Sequence, residues 1–276
     1  MWSQLSSFIA TERSSAKASK ASSRPRVLLL CNDQQESELR SSLGFRLAYE
    51  SAESGLHVFF VCLKGKFDRG FPWPVVVTPA TTETSQTESI TSYSSAWSPS
   101  ILSRIHIKYV TNTLELQKVF ASMHTFLPRP QCVVVDHLCS IIDPIGTIAR
   151  NDATFVQACL MIGSFARDCV DFFDKDSLSK QRQQQHHHDP EGVPEQCQLV
   201  ITADCFDVSF VNSMRRSITH VLSLRPLPPS RHSVHHDHLL GMFVKGPTSE
   251  NDVQLCTCVR GMVDNGHSYQ LMSSHP

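Results

Sequence analysis

The segment Cys31–Glu38 follows an apolar run and opens a helical pattern, which is where an α/β protein commonly binds phosphate. A P-loop in this place has the pattern G-x-x-x-x-G-K-[ST]. Aligned on the end of the apolar run, the chain has Cys31 and Glu36 at the glycine positions, Ser37 at the lysine position and Glu38 at the hydroxyl position. A loop without glycine cannot easily expose its amides, and the carboxylates would repel a triphosphate. We therefore expect no conventional binding of ATP or Mg²⁺ at this loop.

Asp136 is the second candidate residue, because it follows three valines at the end of another apolar run. In P-loop enzymes an aspartate at this place holds Mg²⁺. An aspartate at the end of a strand also commonly caps the following turn, so both interpretations stay open. No catalytic glutamate follows the second apolar run, where the chain reads Leu63-Lys64-Gly65-Lys66. The sequence thus predicts a degenerate nucleotide site without hydrolytic residues, made of Cys31, Glu36, Ser37, Glu38 and Asp136.

The ten cysteines suggest neither a disulfide framework nor a metal site. The chain has no C-x-x-C pattern, and most cysteines lie in apolar runs, where free cysteine behaves as a small buried side chain. Cys256 and Cys258 could share a metal with His267, but no fourth ligand can be assigned. The histidines of 186–188 lie in a low-complexity tract and are typical of a solvated repeat. We predict no metal site, and the cysteine usage indicates a reducing compartment, cytosol or nucleus.

The elements that would position these residues alternate between strands and helices. Apolar or alternating runs predict strands at Arg26–Cys31, His57–Leu63, Arg104–Val110, Gln131–Asp136 and Gln198–Ala203. Helical spacing predicts helices at Glu36–Ser54, from Asn112 or Thr113 to about Phe126, and at Thr147–Phe173. This alternation predicts an α/β fold with a mostly parallel sheet. Weaker strand patterns after residue 218, with no helices between them, predict an antiparallel C-terminal extension.

Charge and low-complexity tracts define the predicted domain organisation. Residues 1–25 carry four basic side chains and one acidic side chain in a Ser/Ala-rich stretch. This composition favours a disordered basic tail, and an organelle transit peptide stays open as the alternative. Residues 80–100 and 175–195 lack periodicity, so we predict disordered insertions there within one domain over 26–272. The net charge of −1 argues against a strongly basic nucleic-acid binder, and no apolar run is long enough to span a membrane.

The order and spacing of these segments resemble the RecA-like recombinase paralogues. More closely, they resemble the RecA-like, SWIM-domain-associated subunit of the Shu complex. The stretches that carry the resemblance are Val27–Leu30, Val58–Asp68, Arg104–Tyr109 with Thr113–Phe120, Cys132–Leu138, Ala153–Phe173 and Leu199–Ala203. The main departure from the family is the degenerate P-loop at Cys31–Glu38.

The resemblance implies a RecA-like domain of the P-loop-NTPase type and a nuclear protein of homologous-recombination DNA repair. Such a protein would bind single-stranded DNA, associate with a zinc-binding SWIM-domain partner, and assist filaments of a recombinase or its paralogues. The family meets DNA through loops after the strands that end near Asp136 and Ala203, and the cations in those windows are Arg150, Arg215 and Arg216. Any zinc would belong to the partner, because no C-x-H pattern follows Cys256 and Cys258.

Three functions remain open at this point. The leading hypothesis is a non-hydrolytic adaptor, because the phosphate-binding residues are missing. The enzyme alternative is a weak, DNA-stimulated ATPase of the same complex, which would bind nucleotide through Asp136 and residues of a partner. A Rossmann-like small-molecule enzyme is the third hypothesis, although its glycine-rich first turn is not found at Cys31–Glu38.

Overall fold

The structure of the chain, a computed structural model, describes ten stretches of the sequence. These are residues 26–31, 37–65, 75–78, 97–149, 152–184, 197–204, 208–226, 239–245, 253–263 and 266–273. The predicted tail (1–25), residues 80–96 and 185–195 of the predicted insertions, Glu36 and Arg150 lie outside the described residues.

Strands and helices alternate through the first two thirds of the described chain. The strands are β1 (Arg26–Cys31), β2 (Val58–Leu63), β3 (Val75–Thr78), β4 (Ile105–Val110), β5 (Cys132–Val135), β6 (Gln198–Ala203), β7 (His220–Pro226), β8 (Leu239–Lys245), β9 (Val253–Val263) and β10 (Gly266–Ser273). The helices are α1 (Ser37–Glu53), α2 (Pro99–Leu102), α3 (Thr113–Ser122), α4 (Leu138–Ile142), α5 (Ala153–Gln184) and α6 (Val208–Met214), and a 3₁₀ turn covers Met123–Thr125.

The strands form one sheet in the order β3-β10-β9-β8-β7-β1-β6-β5-β2-β4. Six consecutive strands of this order, from β7 to β4, pair in parallel. The predicted α/β class with a mostly parallel sheet is therefore confirmed. Strands β8, β9 and β10 follow in antiparallel pairs, and β3 pairs in parallel with β10 at the far end.

The inner parallel strands β1, β2, β5 and β6 are buried on both faces, as their continuous apolar sequence requires, whereas the edge strand β4 is partly exposed. Alternate residues of β1 point to opposite sides, so that Val27 and Leu29 join the core beneath α1 while Leu28 and Leu30 join the core beneath α3, α5 and α6. The short helix α2 and Trp97 complete the first layer, where the Trp97 ring packs edge-on against Phe45. The disordered insertion predicted at 80–100 is therefore wrong for residues 97–100, because Trp97 is packed against the core and Pro99 starts α2. No helix in the described part of the chain is both long enough and apolar enough to cross a bilayer.

The predicted start of α3 is confirmed. Asn112 is its N-cap, and the Asn112 side chain accepts a hydrogen bond from the Glu115 backbone N–H at 3.0 Å. The Glu115 carboxylate in turn accepts a hydrogen bond from the Thr111 backbone N–H at 2.7 Å, which resembles the reciprocal arrangement of a capping box. This contact with Thr111 lowers the pKa of Glu115.

The bounds of α5 differ from the prediction at both ends. The helix starts at Ala153 instead of Thr147. Asp152 caps this start, because its carboxylate accepts a hydrogen bond from the Thr154 backbone N–H at 2.7 Å. In the preceding loop the Asp143 carboxylate accepts hydrogen bonds from the backbone N–H groups of residues 146 and 148, which holds this segment outside the helix. The helix continues past Phe173 to Gln184, so that the first ten residues of the insertion predicted at 175–195 are helical. Lysine, arginine and glutamine in this stretch are good helix formers, which accounts for the longer helix.

Candidate functional site at the carboxyl edge of the sheet

A buried group of polar side chains lies where β5 and β6 end and α1 begins. Asp136 follows β5 directly and is 1% exposed, and its backbone N–H donates to the Val61 carbonyl of the neighbouring β2 at 2.8 Å. Thr202, near the end of β6, is fully buried. Parallel strands place their carboxyl ends at one edge, so both side chains meet the first turns of α1 there.

Both carboxylate oxygens of Asp136 accept hydrogen bonds from hydroxyl groups of the protein. The Thr202 hydroxyl donates to Oδ1 at 2.6 Å, and the Ser41 hydroxyl of α1 donates to Oδ2 at 2.8 Å. Hydrogen bonds to a carboxylate are stronger than those between neutral groups. The carboxylate of Asp136 is thus held by α1 on one side and by β6 on the other.

His137 adopts the left-handed conformation, with φ 58° and ψ 50°, which is uncommon outside glycine. Its backbone N–H donates to the Thr202 hydroxyl oxygen at 2.8 Å. The ring lies between two side chains of α1: Nδ1 contacts the Arg40 guanidinium and Nε2 is 2.6 Å from the Ser41 hydroxyl. These three contacts hold a backbone conformation that costs of order 1–3 kcal/mol on its own.

The contacts also fix the direction of each hydrogen bond around the His137 ring. A guanidinium can only donate, so Nδ1 accepts from Arg40 and the ring proton is assigned to Nε2. Nε2 therefore donates to the Ser41 oxygen, and the Ser41 hydroxyl donates to Asp136. Ser41, His137 and Asp136 hence do not form a nucleophilic set, because the histidine nitrogen that faces the serine is protonated and cannot act as its base.

Arg40 is the one cation among these side chains, and it is 1% exposed. Its guanidinium donates to the Cys31 carbonyl at the end of β1, at 3.3 Å, and to His137 Nδ1. Within the described residues its Nε has no hydrogen-bond partner and no carboxylate lies within ion-pair distance. Arg40 therefore joins the ends of β1 and β5 through the Cys31 carbonyl and the His137 ring, and the Asp136 carboxylate follows His137 by two hydrogen bonds, through Ser41.

Gly44 allows α1 to lie close to this group. A Cβ atom at position 44 would stand 3.0 Å from the Thr202 methyl carbon and 3.9 Å from Asp136 Oδ1. The methyl group cannot turn away without moving the Thr202 hydroxyl from Asp136. The absence of a side chain at position 44 thus positions Ser41 against the carboxylate.

Only part of the predicted site is brought together. Asp136 and the Cys31 carbonyl belong to the buried group, whereas Ser37 and Glu38 form the first turn of α1 and Glu36 is not described. The residues that reach Asp136 and His137 are Arg40 and Ser41, three positions later than the alignment on the strand end placed them. The dipeptide Arg40-Ser41 matches the chemical types of the K-[ST] pair, and that match is the signal that could have identified it.

These residues do not fit a bound Mg²⁺–nucleotide. The hydroxyl and carboxylate that a P-loop enzyme uses for Mg²⁺ are both present, as Ser41 and Asp136. However, both Asp136 oxygens already accept hydrogen bonds, and the Arg40 guanidinium is directed to Cys31 and His137. With this register the glycine positions are Gln34 and Leu39, so both glycines are still missing.

Arg215 and Arg216, which were predicted to contact DNA near Asp136 and Ala203, lie elsewhere. Helix α6 starts after the carboxyl end of β6 and runs back across the sheet, so the turn that follows it lies at the opposite, amino edge, beside the start of β7. Both arginines are exposed there, and the Arg216 carbonyl accepts a hydrogen bond from Arg167 of α5 at 3.2 Å.

The described thiols have the environment of structural cysteines. Burial raises the pKa of Cys139 well above its usual range, with Asp204 adding to the effect, and burial raises the pKa of Cys169 to about 12. Neither thiol is therefore activated as a nucleophile. In the described part of the chain, no three His, Cys, Asp or Glu side chains lie close enough together to hold a metal ion. The side chains of Cys256 and Cys258 lie outside the described part.

Comparisons with known proteins do not add an identity to this geometry. No protein-family model matches the chain, and no curated protein matches it significantly.

Proposed function

We propose that this protein is a non-hydrolytic, RecA-like adaptor in homologous-recombination DNA repair. The observation that carries the proposal is the hydrogen-bonded group of Arg40, Ser41, Asp136, His137 and Thr202 at the carboxyl edge of the sheet. In a P-loop NTPase this edge holds the phosphates and Mg²⁺. Here protein side chains satisfy one another, so the edge keeps its shape without nucleotide.

The architecture is compatible with this assignment. Six parallel strands with helices on both faces are the layout of a RecA-like or Rossmann-like domain. In the proposed assignment β8–β10 are the antiparallel extension of the domain, and the segment between β1 and Ser41 is its degenerate P-loop. Because sheets of this type host many chemistries, the function rests on the polar group and on the sequence resemblance, not on the fold alone.

As an adaptor the protein acts through partners. We propose that a SWIM-domain zinc protein and a recombinase or its paralogues bind it in the nucleus, and that the complex contacts single-stranded DNA. Arg150, Arg215 and Arg216 are the proposed DNA contacts of this chain. The exposed pair Arg215 and Arg216 would form a contact separate from the carboxyl edge, because the turn after α6 lies on the opposite side of the sheet.

Two measurements test the proposal. Affinity purification of the tagged chain from its own cells should recover a SWIM-domain protein, and its absence from repeated purifications would contradict the adaptor function. DNA binding by the recovered complex should weaken with salt, and replacing both arginines by alanine should flatten the log–log salt dependence by about one to two units, since each phosphate contact on a single strand contributes about 0.7. An unchanged slope would remove Arg215 and Arg216 from the interface.

A weak ATPase is the second candidate, and the pair of Ser41 and Asp136 favours it. Their 2.8 Å hydrogen bond brings together the hydroxyl and the carboxylate that P-loop enzymes place on Mg²⁺. Calorimetry with Mg–ATP distinguishes the two functions. If the protein is an adaptor, the isolated chain should give no measurable heat of binding. A micromolar affinity for Mg–ATP that is lost in Ser41→Ala would favour the ATPase. Ser103→Ala is the control and should retain that affinity, because Ser103 is an exposed serine of the loop after α2.

A further inference from the structure

Helix α5 exposes three large apolar side chains on its outward face. Met161, Phe165 and Phe172 are 41%, 42% and 49% exposed, and their spacing of four and seven residues places them on one side of the helix. We call these three residues the α5 strip. The strip is about 16 Å long at 1.5 Å per residue. On the side of α3 it is bordered by Gln117, whose amide lies 3.6 Å from the Met161 sulfur, and by the His124 ring beside Phe172.

The strip is additional to the face with which α5 packs on the sheet. Phe155, Cys159, Ile162, Ala166 and Val170 form that inner face and are fully buried. A helix at the surface of a protein normally has polar side chains opposite its inner face. A row of three exposed apolar side chains on the outer face instead indicates a surface that another segment covers.

Acidic side chains lie alongside the strip. Asp168 and Asp171 lie three residues apart on α5, and the side chain of Asp168 is 69% exposed. Asp171 forms an ion pair with Arg26, the first residue of β1, and Arg167 approaches both Asp168 and Asp171. A segment that covers the strip would therefore be apolar along one part and basic along another.

The first 25 residues of the chain have this composition in this order. Among their apolar side chains, Trp2, Leu5 and Phe8 recur every three residues and Ile9 follows Leu5 by four, while Arg13, Lys17, Lys20 and Arg24 recur at intervals of four, three and four. In a helical segment, spacings of three and four would place these side chains on one side. We propose that residues 1–25 dock on α5 of the same chain, with the apolar part against the α5 strip and the basic part along Asp168 and Asp171.

The point at which the chain enters the fold supports this occupant. Arg26, the first described residue of the chain, contacts Asp171 at the acidic border of the strip. The residues between Ile9 and Arg26 can span about 50 Å when extended, which exceeds the length of the strip several times. A short tether also gives an effective concentration in the millimolar range, so a weak apolar contact suffices for docking.

The proposal is independent of the function assigned above, and it alters one expectation from the sequence. A docked segment is not a free cationic tail, because its lysines face carboxylates of α5. Single-stranded DNA and the acidic border then compete for the same cations.

Zero-length cross-linking of the full-length chain tests the docking. A carbodiimide joins a lysine amine to a carboxylate only when the two groups are in contact. The reaction is carried out on a mixture of unlabelled and ¹⁵N-labelled chains, so that links within one chain can be distinguished from links between two copies. We expect links from Lys17 or Lys20 to Asp168 or Asp171 that join peptides of the same isotope. Links that join the two isotopes in statistical proportion would show that a second copy of the chain covers the strip. A yield of links no higher than in the Asp168→Asn variant would show that residues 1–25 do not contact the acidic border. Either result overturns the proposal.

Variants of both apolar surfaces provide the second test. Phe8→Ser and Phe165→Ser should each lower the yield of these links by about tenfold, because burial of one phenylalanine contributes at least that factor to an equilibrium. Ile145→Ser is the matched control, since Ile145 is 85% exposed and belongs to the loop before α5, not to the strip. Circular dichroism and thermal unfolding establish that each variant is folded. If Phe8→Ser leaves the yield unchanged in a folded chain, the apolar contact is absent and the proposal fails.

Discussion

Replacing Thr202 by valine removes one hydroxyl from the buried polar group and almost nothing else. Valine has nearly the same shape as threonine and is at least as favourable in a strand. The Thr202 hydroxyl donates to Asp136 Oδ1 at 2.6 Å and accepts from the His137 backbone N–H at 2.8 Å. The variant therefore leaves a buried carboxylate oxygen and a buried amide without these partners.

The expected loss of stability follows from these two contacts. A hydrogen bond to a charged group contributes about 1.5–3 kcal/mol, and a buried donor left without a partner costs about 1–3 kcal/mol. Because no water can replace a hydroxyl at a fully buried site, we expect the free energy of unfolding to fall by about 3–5 kcal/mol. For a domain of this size the melting temperature should fall by about 6–20 °C.

Urea unfolding of the full-length chain measures this loss. Thr125→Val is the matched control, because Thr125 is exposed and its hydroxyl donates only to the Ser122 carbonyl of its own turn; a change within about 0.5 kcal/mol is expected there. A double-mutant cycle with Asp136→Asn should give a coupling energy above about 1 kcal/mol. If Thr202→Val costs less than 1 kcal/mol, the hydroxyl is not buried between Asp136 and His137, and the argument for a self-sufficient polar group is refuted.

The remaining predictions concern two glycines and one thiol. Gly44→Ala should lower the melting temperature, since overpacking against Thr202 costs about 1–3 kcal/mol and exceeds the helix-propensity gain of about 1 kcal/mol. Gly163→Ala should be neutral or stabilising, because the flexible Met214 side chain can yield, and equal effects of the two variants would contradict this distinction. Cys169, whose pKa burial raises to about 12 from 9.0, should react with iodoacetamide at pH 8 at least about 100-fold more slowly than in urea. The same shift means that the contribution of this thiol to stability is complete below pH 9 and is lost between about pH 9 and pH 12, so Cys169→Ala should flatten the decline of stability over that range.

The sequence predicts the sheet better than the site, for physical reasons. Continuous apolar runs such as Val27–Leu30 are typical of strands buried on both faces, and the parallel order follows from their alternation with helices. The placement of Asp136 at the carboxyl edge follows in the same way. By contrast, β3 consists of four residues between prolines, too short for periodicity to identify.

Within the site, the contacts of Arg40, Ser41 and His137 depend on quantities that the sequence does not contain. The direction in which a helical side chain points depends on the residue where the helix begins, and a shift of three residues replaces Ser37 by Arg40 as the residue that faces the strand ends. The left-handed conformation of His137 has no local signal, because it is imposed by Thr202 and α1, which are distant in the sequence. The separation of Arg216 from the carboxyl edge depends on the length and direction of α6.

The central position of β1 has a consequence for synthesis of the chain. β1 pairs with β6 and β7, although it precedes both by most of the length of the domain. The ribosome adds about 5–20 residues per second, so the roughly 170 residues between Cys31 and Gln198 take on the order of ten to thirty seconds to appear. Throughout that interval the apolar segment Val27–Cys31 has been translated without either of its neighbours. Nascent β1 is consequently the segment of this protein that we expect a holding chaperone to bind, until β6 and β7 leave the ribosomal exit tunnel.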